Sequence, residues 1–172
     1  MAGQLHTTAP HVWAVGDVAA TPLQLAHVAF TEGIAAAERI AGIEVPEIDY
    51  AGIPRVTYCT PEVASVGLTE AQAVERGHEV QVEKLNFQAV GKANIVGEGG
   101  MVKVIADKDG GPVLGIHMVG PHVTDLIAEA MLITNWEAVP AEVAALIHPH
   151  PTLSEAIGEA HLALAGKPLH TA

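Results

Sequence analysis

Apolar residues alternate or run in short stretches through the middle of the chain, and they recur at helical spacing towards its end. Short strands are predicted at 55–59, 63–67, 79–87, 101–106 and 113–119, and helices at about 122–136, 140–147 and 153–165. Lys108-Asp109-Gly110-Gly111 predicts a hairpin turn between the last two strands. Thr69-Glu70-Ala71-Gln72 predicts the capped start of a short helix that ends at Gly77. Strands first and helices last predict an α+β fold, an antiparallel β-sheet flanked by helices.

The amino-terminal residues follow a different pattern. Residues 12–16 predict a short buried strand that ends at Gly16-Asp17. Thr21-Pro22-Leu23-Gln24 predicts the capped start of a helix that runs to about Ile40. One parallel strand cannot form a sheet, so these elements are interpreted as the last strand and helix of a separate α/β domain. The chain is therefore divided into that remnant (residues 1–42), a connector (43–52) and the α+β domain (53–172).

Composition narrows the classes of function. Hydrophobic residues make up 49% of the chain, and in a domain this small some apolar surface is expected to be covered by a partner. The net charge of −12 argues against binding to nucleic acid or to an anionic membrane surface. No apolar run reaches the roughly 18 residues of a membrane span, and no secretory signal is recognisable. The single cysteine, Cys59, is expected to be buried and inert, in a cytoplasmic protein.

The segment with the most chemistry is His148-Pro149-His150-Pro151-Thr152-Leu153-Ser154-Glu155. A proline on each side of His150 restricts the backbone there, which suits an imidazole that must be held still as an acid/base group. Glu155 falls in the first turn of the predicted helix. Its carboxylate can accept a hydrogen bond from one imidazole nitrogen and leave the other nitrogen free to move a proton.

Two other interpretations of this segment stay open. Residues 152–155 also form a capping-box pattern, in which Glu155 would only accept a hydrogen bond from the backbone of Thr152. His148 and His150 alternate as they do in some zinc sites, but two histidines without a neighbouring cysteine or a third spaced histidine are a weak zinc signal. We expect no metal site.

Residues 148–155 closely resemble the His-x-His-Pro-Thr-Leu-Ser-Glu segment of the dihydrolipoamide dehydrogenases, which are pyridine nucleotide-disulfide oxidoreductases. The resemblance implies that His150 exchanges a proton with a dithiol substrate and that Glu155 orients its ring. Further similarity to the dimerisation domain of that family lies in Tyr58–Glu70, Gly100–Val104 and Gly115–Gly120.

Residues 13–17, Trp-Ala-Val-Gly-Asp, resemble a motif of flavin-dependent reductases in which the aspartate binds the ribityl chain of FAD. The resemblance therefore implies a cofactor contact by Asp17, although most aspartates in such a position simply form turns. The segment that follows resembles the family's helix start beside the flavin, which implies further cofactor contacts by Leu23, Gln24, Leu25, Ala26 and His27. Residues 1–42 would then be the carboxy-terminal remnant of an FAD-binding domain.

The implied parent enzyme oxidises protein-bound dihydrolipoamide to lipoamide with NAD⁺, through FAD and a redox disulfide. It is a homodimer that serves the lipoyl domains of 2-oxo acid dehydrogenase complexes, and the base of one subunit acts on the disulfide of the other. These 172 residues contain neither the redox Cys-x-x-x-x-Cys nor a Gly-x-Gly-x-x-Gly turn, so the isolated chain is expected to be inactive. The glycine-rich residues 94–100 are expected to be a loop.

Two alternatives come from different classes of protein. Residues 53–168 could be a non-catalytic module that only self-associates. The chain could also belong to another disulfide reductase, such as a mycothione reductase, and this portion of sequence does not distinguish NAD from NADP.

Overall fold

The computed structural model describes residues 5–170, and the chain divides into two compact units, Met1–Ile53 and Pro54–Ala172. The three-part division into 1–42, 43–52 and 53–172 stays a prediction. Across the described residues, no helix is both long and apolar enough to cross a lipid bilayer.

The smaller unit is built around one helix, α1 (Ala26–Ile40), which follows a 3-10 turn at Gly16–Val18. Its core consists of Leu5, Ala35 and Ala36, against which Trp13, Val15, Val45 and Ile48 pack.

The strand predicted at 12–16 is wrong. Trp13 pairs with His6 in a single antiparallel bridge. A strand needs a neighbour along its whole length, and the described residues of this unit offer only that one bridge.

The predicted start of α1 is also wrong, by four residues. The side-chain amide of Gln24 donates to the carbonyl of Thr21 at 3.1 Å, whereas a capping box requires it to accept from the backbone N–H. Leu25, with an extended φ of −136°, is the residue before the first helical turn. The chain from 21 to 25 is therefore an irregular approach to the helix.

The larger unit contains a five-stranded antiparallel sheet in the order β1-β2-β5-β4-β3. The strands are β1 (Arg55–Thr57), β2 (Glu62–Gly67), β3 (Val80–Asn86), β4 (Met101–Asp107) and β5 (Val113–Gly120). The helices are α2 (Glu70–Glu75), α3 (Gly91–Val96), α4 (Val123–Asn135), α5 (Pro140–Ala144) and α6 (Glu155–Leu164). The predicted α+β fold is confirmed.

A predicted helix cap is confirmed where the two capping residues lie close together in the sequence. The capping box of α2 is present, since Thr69 Oγ1 accepts from the backbone of Gln72 at 3.3 Å and the Gln72 side chain accepts from the backbone of Thr69 at 3.0 Å.

The loop expected at 94–100 is wrong in its first half, because α3 continues to Val96. It ends there at Gly97, whose φ of +78° suits glycine.

The core of the larger unit places α4 and α6 against the sheet. Buried residues of α4 recur every three or four positions at Val123, Ile127, Ala130 and Ile133, and those of α6 are Ala156, Ile157, Ala160 and Leu164. Each buried Val, Ile or Leu contributes about 1.5–3 kcal/mol. Two firmly packed helices therefore flank the segment that carries His148 and His150.

The expectation that Cys59 is buried is wrong. β1 ends at Thr57, so Cys59 falls in the exposed turn before β2, where its thiol donates to the carbonyl of Pro61 at 3.0 Å. The turn joins β1 to β2.

Candidate active site

His150 and Glu155 meet at the amino-terminal end of α6. Nδ1 of His150 lies 2.8 Å from Oε1 of Glu155. The histidine side chain is 74% exposed and the glutamate side chain 21% exposed. The imidazole therefore faces solvent while the group that orients it is fixed in the protein. The structure brings together the two residues that the sequence proposed as a catalytic pair.

Glu155 serves both functions that the sequence left as alternatives. Its second oxygen, Oε2, accepts from the backbone N–H of Thr152 at 2.8 Å. Burial disfavours the charged form of Glu155, but the bonds from Thr152 and His150 outweigh burial and hold the pKa of this carboxyl below its ordinary value. A charged Glu155 accepts a hydrogen bond from Nδ1–H of His150 and leaves Nε2 as the atom that can take up a proton.

The pair lines a cavity of about 360 Å³ in the larger unit. Other side chains around this cavity are His148, Glu159, Leu162 and His170, and its rim includes Leu146 and Ile147. Ile147 is 97% exposed and Leu146 is 63% exposed. An apolar rim around a polar acid/base pair suits a site that a second molecule completes.

His148 uses a different carboxylate. Its Nε2 lies 2.6 Å from Oε1 of Glu129 on α4, and this hydrogen bond outweighs burial and raises the pKa of His148. The two histidines of the segment are thus held by two separate acids. Within the described part of the chain, no group of three or more His, Cys, Asp or Glu side chains is placed to hold a metal ion.

Glu159 holds the carboxy-terminal segment beside the same cavity. Its side chain is 4% exposed, and Oε1 accepts from the backbone N–H groups of Leu169 at 2.8 Å and His170 at 2.6 Å. Burial disfavours the charge on Glu159, but these backbone bonds outweigh it and hold its pKa below the ordinary value. Sequence reasoning missed Glu159, although its position four residues after Glu155 puts both acids on one helix face.

In the smaller unit, Asp17 lies in the exposed 3-10 turn that precedes α1. Leu23 and Leu25 are half-buried and Gln24 is exposed. Ala26 and His27, both exposed, form the first residues of α1. A carboxylate and the positive end of a helix therefore lie in one unit. These groups fit an FAD, since a carboxylate accepts from ribityl hydroxyls and helix N–H groups donate to the electron-rich edge of a flavin.

Glu32, which sequence reasoning also missed, ties this turn to α1. It is fully buried. Its Oε2 accepts from the backbone N–H of Gly16 at 2.6 Å, and its Oε1 accepts from the hydroxyl of Tyr50 at 2.9 Å. Burial and the bond to Glu32 raise the pKa of Tyr50 to about 12. The position of Asp17 relative to α1 thus depends on a carboxyl group fifteen residues along the chain.

Comparison with known proteins gives one consistent result. Residues 53–161 match the family described as pyridine nucleotide-disulphide oxidoreductase, dimerisation domain. A dihydrolipoyl dehydrogenase of Bacillus subtilis (strain 168) is 53% identical over 165 residues, which are 95% of this chain and 35% of the relative. A dihydrolipoyl dehydrogenase of Mycobacterium leprae is 45% identical over 164 residues, 94% of this chain and 35% of the relative.

A solved structure agrees at the level of the fold. The crystal structure of LpdA from Mycobacterium tuberculosis has a TM-score of 0.83 to this chain at 25% sequence identity, over 93% of this chain and 35% of that one. The five-stranded sheet and its helices define the class as a disulphide-oxidoreductase dimerisation domain. The chain belongs to the pyridine nucleotide-disulphide oxidoreductase family. It spans about a third of the length of the curated relatives described here, whose name is dihydrolipoyl dehydrogenase.

Proposed function

We propose that this chain forms part of a dihydrolipoyl dehydrogenase, in which His150 and Glu155 are the acid/base pair for oxidation of dihydrolipoamide. The observation that carries the proposal is the 2.8 Å contact between Nδ1 of His150 and Oε1 of Glu155. Both residues line the cavity of the larger unit. The chain is also 53% identical to the dihydrolipoyl dehydrogenase of Bacillus subtilis.

The chemistry of the pair follows from its geometry. Glu155 keeps the proton of the neutral imidazole on Nδ1, so the lone pair on Nε2 is available. Nε2 accepts the proton of a substrate thiol and produces the thiolate, which is the nucleophilic form of sulfur. The imidazolium that results is stabilised by Glu155, and it returns the proton to solvent or to a leaving thiolate. Acid/base assistance of this kind contributes roughly 10²–10⁴ in rate.

Two cofactors belong to the proposal. FAD and NAD⁺ supply the electron-transfer chemistry when they are bound. Asp17 would accept from ribityl hydroxyls, and residues 23–27 would place backbone groups and the start of α1 beside the flavin ring. The support for this lies in the shared unit of Asp17 and α1, and in the Glu32 bond that fixes their separation.

A homodimer is the second part of the proposal. His150 is exposed at the cavity, and Ile147, which lines the same cavity, is 97% exposed. We propose that, in the parent enzyme, the second subunit covers this rim and brings its redox disulfide to His150. The external partners would be lipoyl domains of 2-oxo acid dehydrogenase complexes, and the expected compartment is the cytoplasm.

The test uses a chimera in which this chain replaces the matching segment of the Bacillus subtilis relative. We expect the chimera to bind FAD, to dimerise and to oxidise dihydrolipoamide with NAD⁺. His150→Gln should lower kcat by roughly 10²–10⁴, with flavin content and mass in solution unchanged. The matched control is His78→Gln, because His78 makes the same 2.8 Å contact to a carboxylate, Asp107, away from the cavity.

Three results bear on the proposal. Loss of kcat in His150→Gln with His78→Gln unchanged would support it. Normal kcat in His150→Gln would overturn the role of this histidine. A flavin-loaded, dimeric chimera that oxidises no dithiol would favour a purely self-associating module. The isolated chain of 172 residues, which has one cysteine and so no redox disulfide, is the negative control.

A further inference from the structure

Gly158 lies in the interior of α6, where glycine is less favourable than alanine. The space beside it explains the choice. A Cβ added at position 158 would lie 2.5 Å from Nδ1 and 2.8 Å from Cε1 of His148. The imidazole of His148 therefore occupies the place that a side chain on α6 would take.

The other side of this ring is held by α4. Nε2 of His148 donates to Oε1 of Glu129 at 2.6 Å, and the side chain of His148 is only 13% exposed. On α6, the absence of a side chain at Gly158 leaves the space that the ring fills, which is called the seat below. On α4, the carboxylate of Glu129 accepts the hydrogen bond from the ring. The ring is thus fixed between two helices that both pack on the sheet.

This seat is close to the proposed acid/base pair. His148 is two residues before His150, and Gly158 is three residues after Glu155, less than one helical turn. His148 and His150 are therefore both attached to α6 within one turn. A displacement of His148 would move the backbone that carries His150.

Resting on the proposed function, we infer that His148 is a positioning residue, whose ring, seated on Gly158 and held by Glu129, keeps His150 in line with Glu155. The charged or titratable groups that face His148 are Glu129 from α4 and Glu155 and His161 from α6. His161 is fully buried, and its Nδ1 donates to the carbonyl of Ile157 at 2.7 Å. Of these groups, Glu129 forms the direct bond with the ring.

Thermal unfolding of the 172-residue chain tests the seat, because the effect of Gly158→Ala on Tm should change sign when His148 is removed. Gly158→Ala alone should lower Tm, because the new methyl group collides with the ring of His148. In a His148→Ala background the same change fills vacated space and favours the helix, so Gly158→Ala should raise Tm by about 2–4 °C. A loss of Tm of similar size in both backgrounds would overturn the seat.

Kinetics of the chimera test the positioning role. His148→Ala should lower kcat roughly 10- to 100-fold, as expected for misplacement of a reacting group, with KM for dihydrolipoamide and flavin content unchanged. His148→Gln should recover part of kcat, because its amide can still donate to Glu129. His78→Gln remains the control, since the hydrogen bond of His78 with Asp107 lies away from the cavity.

The two proposals fail in different ways. Unchanged kcat in His150→Gln would sink the proposed function. A large loss in His150→Gln together with normal kcat in His148→Ala would sink only the positioning role. A combined loss of kcat, flavin content and Tm in His148→Ala, with no recovery in His148→Gln, would show a general structural defect. That result would also overturn the positioning role.

Discussion

One carboxylate oxygen of Glu155 lies 2.8 Å from Nδ1 of His150, which leaves the other oxygen for the backbone of the segment before the helix. The same side chain therefore holds the backbone of Thr152, just before α6, and orients the proposed base. Because each function uses one oxygen, substitutions at this position can separate them.

Glu155→Gln should keep the bond to the backbone of Thr152 and lose the chemistry. The single amide oxygen can still accept from Thr152, and its NH₂ group then faces Nδ1 of His150. That nitrogen must become the acceptor, so the proton moves to Nε2, which can no longer take up a proton. In the chimera, kcat should fall by roughly 10²–10⁴ with little change in Tm.

Glu155→Ala is the companion variant. It should lose as much kcat and also about 0.5–1.5 kcal/mol of stability, since the backbone N–H of Thr152 loses its acceptor. Steady-state kinetics and thermal unfolding measure the two effects separately. Wild-type kcat in Glu155→Gln would contradict the orienting role.

Removal of the buried carboxyl of Glu32 should release flavin. Glu32→Ala leaves the N–H of Gly16 and the hydroxyl of Tyr50 without their acceptor, at a cost of about 1–3 kcal/mol each. Glu32→Gln should be milder, because its oxygen can serve Gly16 and its amide can donate to the oxygen of Tyr50. The ratio of flavin to protein absorbance in the purified chimera measures retention.

Glu38→Ala is a suitable control for that experiment, because Glu38 is on the same helix and is only half-buried. It should retain flavin at the wild-type ratio. Full flavin retention by Glu32→Ala would show that the turn at Asp17 does not need this bond, or that Asp17 does not contact the cofactor.

The buried His161 predicts a pH dependence of stability. Burial lowers its pKa below the ordinary 6.5, so the unfolded chain binds its proton more readily than the folded chain does. Its contribution is therefore present above about pH 6.5 and is lost as the pH falls. His161→Asn should become more stable relative to the wild type on acidification below that value.

His148 should give the opposite sign. Its pKa is raised, chiefly by the bond to Glu129, so its stabilising contribution is present below pH 6.5 and is lost as the pH rises through the folded value. The disadvantage of His148→Ala relative to the wild type should therefore become smaller as the solution becomes alkaline, leaving only the loss of packing beside Gly158. Urea unfolding at a series of pH values tests both variants, and parallel curves would contradict the assigned directions.

The apolar rim beside His150 predicts where the dimer forms. Ile147→Asp places a charge on a side chain that is 97% exposed in one copy, and it should dissociate the dimer. Val74→Asp, on α2 and 56% exposed, serves as the control and should leave the mass in solution unchanged. Sedimentation at micromolar concentration measures the difference, and a dimer that survives Ile147→Asp would move the interface elsewhere.

Much of the larger unit could be predicted because its signals are local. Alternation in β4 and β5, the turn at 108–111 and the capping box at Thr69 each depend on residues within a few positions. His150 and Glu155 belong to the same group, since five residues separate them and the helix start brings them together. Resemblance to a known segment then decided between capping and chemistry, although the structure shows both.

The missed residues depend on contacts across the fold. Glu129 is 19 residues from His148, and Glu32 is 16 residues from Gly16, so no short pattern connects them. The strand predicted at 12–16 failed for a related reason, because an apolar run becomes a strand only beside other strands, and these residues are exposed or half-buried. Cys59 was assigned by its average preference for the interior, which says nothing about a turn at the end of a sheet.

Glu159 accepts hydrogen bonds from the backbone of Leu169 and His170, and these bonds determine where an affinity tag can be placed. His170 itself lines the cavity that contains His150, so an affinity tag fused shortly after it would begin close to the proposed base. A polyhistidine tag at that end would supply extra imidazoles close to the proposed base and mask the loss in His150→Gln. Purification handles should therefore be placed at the opposite terminus or removed before rates are compared.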